Sequence, residues 1–161
     1  MRRRKLLVMG SGLSLLSAVG VRAQEQAAQL VAEQAWSRPA LARIGTAVAY
    51  LRVRNIGAAP VQLLGATTPV AARVEIHESV VEDGVARMRP HPEGVPVAPG
   101  GEVAFEPGGL HLMLLDLHSD LKAKEVFPLT LRFTHGTALE VAVIVSVRAP
   151  AAQGSHSGRG H

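Results

Sequence analysis

From Thr46 to Val147 the chain is written in short runs of alternating apolar and polar residues, separated by glycine, proline or an Asp-Gly pair. A period of two belongs to an extended strand with one face buried, and no run carries the 3.6-residue period of a helix. Val48, Tyr50, Arg52 and Arg54 alternate with Ala49, Leu51, Val53 and Asn55, and Asn55–Pro60 turns the chain into Val61–Ala66. In Ala72–Val81, Val74, Ile76 and Val80 point one way while Arg73, Glu75, His77 and Ser79 point the other. Asp83-Gly84 is a hairpin signal that joins this run to Val85–Arg89. Glu102–Glu106, Leu110–Leu117, Phe127–Phe133 and Leu139–Val147 complete the set. Short strands at near-regular spacing predict an all-β sandwich.

Both ends read differently. Arg2, Arg3, Arg4 and Lys5 precede the apolar run Leu6–Val21, and Val21-Arg22-Ala23 suits a signal peptidase. The run is about 16 residues long, short of the roughly 20 that span a bilayer, so residues 1–23 are expected to be a cleaved export signal, by the Sec or the twin-arginine route. Residues 24–34 are polar and Ala-rich and are expected to fray or start a short helix, with Ala35–Pro39 as an entry strand. The sandwich is expected over 35–148, and 149–161 is expected to be a disordered Gly/Ser/His tail.

Charge and cysteine usage remove several functions. Five of the 17 Lys and Arg residues lie in 1–23, which leaves 12 basic against 13 acidic residues in the exported part. No basic patch remains, and one Trp, one Tyr and three Phe make no stacking platform, so nucleic acid is excluded as a partner. The chain has no cysteine. That excludes disulfides, thiolate nucleophiles, Fe–S clusters and a blue-copper centre. Metal chemistry here must use His, Met and carboxylates.

Leu110–Leu117, L-H-L-M-L-L-D-L, turns Leu110, Leu112 and Leu114 to the core and His111 and Met113 to the other face. A thioether beside an imidazole suits a soft ion such as Cu(I). The only other methionine beyond the signal is Met88, and the Asp83-Gly84 hairpin would set it nearly opposite His77. Two His/Met pairs result. Taken singly, each residue is more often an ordinary core methionine or a solvated histidine; together, in two similar pairs, they point to one metal site. His118 and His135 fall in expected loops and read as solvated. His91 is an auxiliary candidate, as are tail residues His156 and His161, which would suit Cu(II).

The arrangement His77, ten residues, Met88, a longer gap, then His111-x-Met113 resembles the motif of the PCuAC family of periplasmic copper chaperones. The frame is similar too: Val74-Glu75-Ile76-His77-Glu78-Ser79, Met88-Arg89-Pro90, Val97-Ala98-Pro99-Gly100-Gly101, and Pro107-Gly108-Gly109-Leu110-His111-Leu112-Met113. The resemblance runs from about Trp36 to Val147. The gap between Met88 and His111 is one residue longer than the family's usual spacing, and the Pro90–Gly94 loop can absorb it.

The resemblance implies a single-domain, cupredoxin-like or immunoglobulin-like Greek-key sandwich that holds one Cu(I) on His77, Met88, His111 and Met113. It implies a periplasmic monomer that is not an enzyme and has no membrane span once the signal is removed. It also implies delivery of copper toward the dinuclear copper site of cytochrome c oxidase, either to an oxidase subunit or alongside a thioredoxin-like copper protein. Two rival readings use the same residues differently: a copper sequestration or resistance protein, and an exported Ig-like interaction module whose His and Met are incidental. Neutral imidazole and thioether ligands hold Cu(I) without deprotonation, apart from the proton that His must lose, so binding should weaken in acid, where imidazole takes up a proton.

Overall fold

The computed structural model describes residues 29–150. The expected signal (1–23) and the tail from residue 151, with His156 and His161, lie outside the described residues. Ten strands follow in chain order: β1 Leu30–Ser37, β2 Thr46–Asn55, β3 Val61–Thr67, β4 Ala71–Glu82, β5 Val85–Pro90, β6 Val95–Val97, β7 Glu102–Phe105, β8 Leu110–Leu117, β9 Val126–Phe133 and β10 Ala138–Val145. Two single turns of 3₁₀ helix, Ala42–Ile44 and Thr134–Gly136, are the only helical pieces among the described residues. The fold is all-β and a single domain, as the alternation requires.

The strands form one sheet in the order β5-β4-β8-β2-β1-β10-β9-β3-β6, with β7 beside β8 on β2. A further pairing of β3 with β4, at Ala66 and Val74, closes the sheet into a barrel. All ladders are antiparallel except β1 with β10, where Trp36 meets Ile144. Closure leaves a single interior, filled by the inward residues of every second position. Ala49, Val53, Leu63, Leu112, Leu114, Leu129, Leu131 and Val143 have no exposed surface. Each leucine so buried stabilises the fold by roughly 1.5–3 kcal/mol.

Asn55 is among the polar groups buried here. Asn55, 2% exposed, donates from Nδ2 to the carbonyls of Ala59 (2.8 Å) and Val97 (3.2 Å) and accepts the Gly57 amide at Oδ1 (3.0 Å). It ties the Ile56–Pro60 turn to β6. A buried amide is tolerated when its donors and acceptors are matched in this way.

Three details differ from the sequence expectation. The first strand starts at Leu30, inside the segment 24–34 expected to fray, and ends at Ser37. Its pairing with β2 shifts between Glu33 and Trp36, and Gln34 takes φ +55. This bulge breaks the alternation and hides a strand whose Leu30 is nonetheless buried against β2. β6 lies in a stretch that reads as turns, because three residues are too few to display a period. The third difference concerns the hairpin. Asp83 and Gly84 take φ +52 and +77, as a two-residue turn of this kind requires, and the resulting register sets Met88 opposite Ser79 and Pro90 opposite His77.

Candidate metal centre

β4 lies between β5 and β8, and its odd-numbered residues Glu75, His77 and Ser79 share one face. Across the ladder to β8, His77 pairs with His111 and Glu75 with Met113. Directly opposed side chains on neighbouring strands lie within about 5.5 Å at Cβ, and the two imidazole centroids are 6.0 Å apart with planes inclined at 65°. Leu112 and Leu114 fix this placement: both are fully buried, so β8 cannot slip by a residue without turning its leucines outward.

The face that carries these side chains is not bare. His111 is only 2% exposed, which excludes a solvated surface histidine. Val48 lies opposite Met113 on β2, with Tyr50 next along the same face. Tyr50 packs on Trp36 of β1 with ring centroids 4.8 Å apart, and both are buried although neither belongs to the barrel's inner core. A second apolar cluster thus forms outside the barrel's inner core.

Each imidazole uses one nitrogen and leaves the other without a partner. His111 Nδ1 lies 3.0 Å from the Gly109 carbonyl, and His77 Nε2 lies 3.0 Å from Glu75 Oε2. Carbonyls and carboxylates only accept, so in the neutral rings these two nitrogens carry the protons. The remaining nitrogens, His77 Nδ1 and His111 Nε2, are buried and have no hydrogen-bond partner. A buried polar atom left unpaired costs about 1–3 kcal/mol. Two buried lone pairs on facing rings are available to a metal ion, and an imidazole whose second nitrogen is held by an acceptor is how metal-ligating histidines are normally oriented.

The thioethers differ in position. Met113 is half-buried beside His111 on the same face. Met88 is also on that face but sits on β5, opposite Ser79, diagonal to His77 rather than across from it, and 56% exposed. Among the described residues no group of three or more His, Asp and Glu gathers as a ligand cluster. Met113 shares the face of the two imidazoles across the ladder, and a thioether beside imidazole suits a soft ion.

The other histidines stand elsewhere. His91 Nε2 lies 3.0 Å from Glu78 Oε2. Glu78 follows His77 and so points to the opposite face of β4, which takes His91 away from the paired imidazoles and argues against it as an auxiliary ligand. His118 is exposed, as a solvated loop histidine should be, and its Nδ1 donates to the Pro69 carbonyl at 2.9 Å. His135 occupies the turn between β9 and β10 with φ +62. A groove of about 680 Å³ lined by Pro39, Leu41, Ile44 and Leu121 holds Asp120 and Lys122 but no His or Met.

Glu75 was absent from the candidates drawn from the sequence, although its spacing of two from His77 on a strand places it on the same face. The Gly109 carbonyl leaves no comparable mark.

Similar proteins accord with this architecture. "Putative lipoprotein Lxx21020" of Leifsonia xyli subsp. xyli is 32% identical over 121 residues, covering 75% of this chain and 72% of its own length. The solution structure of CuI-DR1885 from Deinococcus radiodurans superposes with a TM-score of 0.57 at 28% identity, covering 78% of this chain and 85% of that one. The copper-bound PCuAC domain from PmoF2 superposes with a TM-score of 0.60 at 22% identity, covering 76% and 94%, a likeness of fold. The family model described as LpqE-like matches residues 30–145, from the start of β1 to the end of β10. The chain belongs to the LpqE-like family.

Proposed function

We propose that this protein is a PCuAC-type carrier that holds one Cu(I) on His77, His111 and Met113, with Met88 as the fourth ligand, and passes it to an accepting protein. The observation that carries the reading is the pair of facing imidazoles, each with a buried, unpartnered nitrogen. Copper in the solved structures of CuI-DR1885 and the PmoF2 domain supports the same cargo here. Neutral ligands with one exposed thioether suit a carrier, because an ion held by Met88 at the surface can be exchanged for a partner's ligand without opening the core.

Export to the periplasm through residues 1–23 fits this role, as does delivery toward the dinuclear copper site of cytochrome c oxidase. No helix among the described residues is long and apolar enough to cross a membrane. The family and the Leifsonia relative are named as lipoproteins; these 161 residues contain no cysteine to which a lipid could be linked through sulfur.

The test is Cu(I) competition against a chromogenic chelator, wild type beside the Met88→Leu/Met113→Leu double variant. A carrier loses affinity in the double variant, whereas an interaction module with incidental methionines shows no difference. Mixing the copper-loaded protein with an apo oxidase copper domain then separates delivery from storage.

A further inference from the structure

We propose that Glu75 is a positioning residue of the copper site, which holds His77 in the one tautomer that turns Nδ1 to the ion, while His111 offers Nε2. The inference rests on the copper reading above and adds an asymmetry to it: the two histidines bind through different nitrogens.

The geometry around Glu75 is specific. Its Oε2 accepts from His77 Nε2 at 3.0 Å, and its Oε1 accepts from Arg73 Nη1 at 3.3 Å. Arg73 in turn donates from Nη2 to Asp116 Oδ2 on β8, also at 3.3 Å. Both carboxylate oxygens are thus engaged, and Arg73 links the carboxylate on β4 to the strand that carries His111 and Met113. An ion pair this exposed contributes little to stability, but it orients the carboxylate toward the imidazole. With the proton held on Nε2, the lone pair of His77 is at Nδ1, the nitrogen that is buried and unpartnered. His111 reaches the complementary state by another route, a backbone carbonyl at Nδ1 that no substitution removes. Only one of the two histidines therefore depends on a side chain for its tautomer.

Outer groups of this kind commonly change metal affinity by about 10–100-fold when removed. The experiment is long-range ¹H–¹⁵N correlation of the imidazoles in apo protein and after adding Cu(I) alone, for wild type, Glu75→Ala and Glu75→Gln. Apo wild type should show His77 as the Nε2–H tautomer and His111 as the Nδ1–H tautomer, and Cu(I) should shift His77 Nδ1 and His111 Nε2. Glu75→Ala should mix the tautomers of His77 alone and weaken Cu(I) binding about 10–100-fold. Glu75→Gln, whose amide oxygen still accepts from Nε2–H, should restore most of the affinity.

A copper-induced shift at His77 Nε2 would overturn the role of Glu75 while leaving the copper site standing. So would an alanine variant with unchanged tautomer and affinity, or a glutamine variant no better than alanine. Absence of any copper-induced shift in wild type would overturn the copper reading itself.

Discussion

His77 and His111 face each other across the β4–β8 ladder with ring centroids 6.0 Å apart, and each keeps one buried nitrogen free of any hydrogen bond. Neither ring needs to seek its place when an ion arrives. The residues between and behind them, Ile76, Leu112 and Leu114, are the barrel's own core, so the site is as rigid as the fold.

Removing either ring should remove the site. We expect His77→Ala to lower Cu(I) affinity by more than the roughly 100-fold that marks the upper range for outer groups. Chelator competition measures this, and His77 is the better choice for it because His111 is buried and its loss also opens a cavity.

The two methionines should not be equal. Met113 is half-buried beside His111, whereas Met88 is exposed on the β5 hairpin and diagonal to His77. Leucine conserves volume at either position, with a stability change under about 1.5 kcal/mol. Met113→Leu is expected to cost more equilibrium affinity, and Met88→Leu to act mainly on the rate at which Cu(I) leaves, read by stopped-flow transfer to a chelator.

The hairpin turn should set the position of Met88. Asp83 and Gly84 both hold positive φ, and a β-branched residue in place of Gly84 is strained there by about 1–2 kcal/mol. Gly84→Val should therefore disturb the β4–β5 register and speed copper release as Met88→Leu does, while melting of the barrel changes little. Amide exchange across Val80–Arg87 would report the loosened ladder.

Core and site should fail together at β8. Leu112 lies between His111 and Met113 and is fully buried. Leu112→Ala is expected to destabilise the protein by about 2–5 kcal/mol in chemical denaturation, and to weaken Cu(I) binding although no ligand has changed.

Much of this was legible in the residues. The Leu112 and Leu114 alternation gives the strand, its faces and the outward place of His111 and Met113, because burying one face of a sheet dictates a period of two. Asp83-Gly84 gives the hairpin, because few other pairs accept two positive φ angles in succession. Other features left no such trace. The bulge at Gln34 interrupts the period that would have announced β1 from Leu30. The burial of His111, 2% exposed on the face opposite the leucines, is another of them. The hairpin signal places Met88 nearly opposite His77; the register puts it one pair along the same face, since the count from a two-residue turn pairs His77 with Pro90. His91, close to the hairpin in sequence, bonds to Glu78 on the opposite face.

The most direct measurement is X-ray absorption at the copper edge of the Cu(I)-loaded protein. A site built on His77, His111 and Met113, completed by Met88, gives a mixed first shell of two imidazole nitrogens and one or two thioether sulfurs. A shell of nitrogen and oxygen without sulfur would contradict it, as would copper that washes away from the wild-type protein.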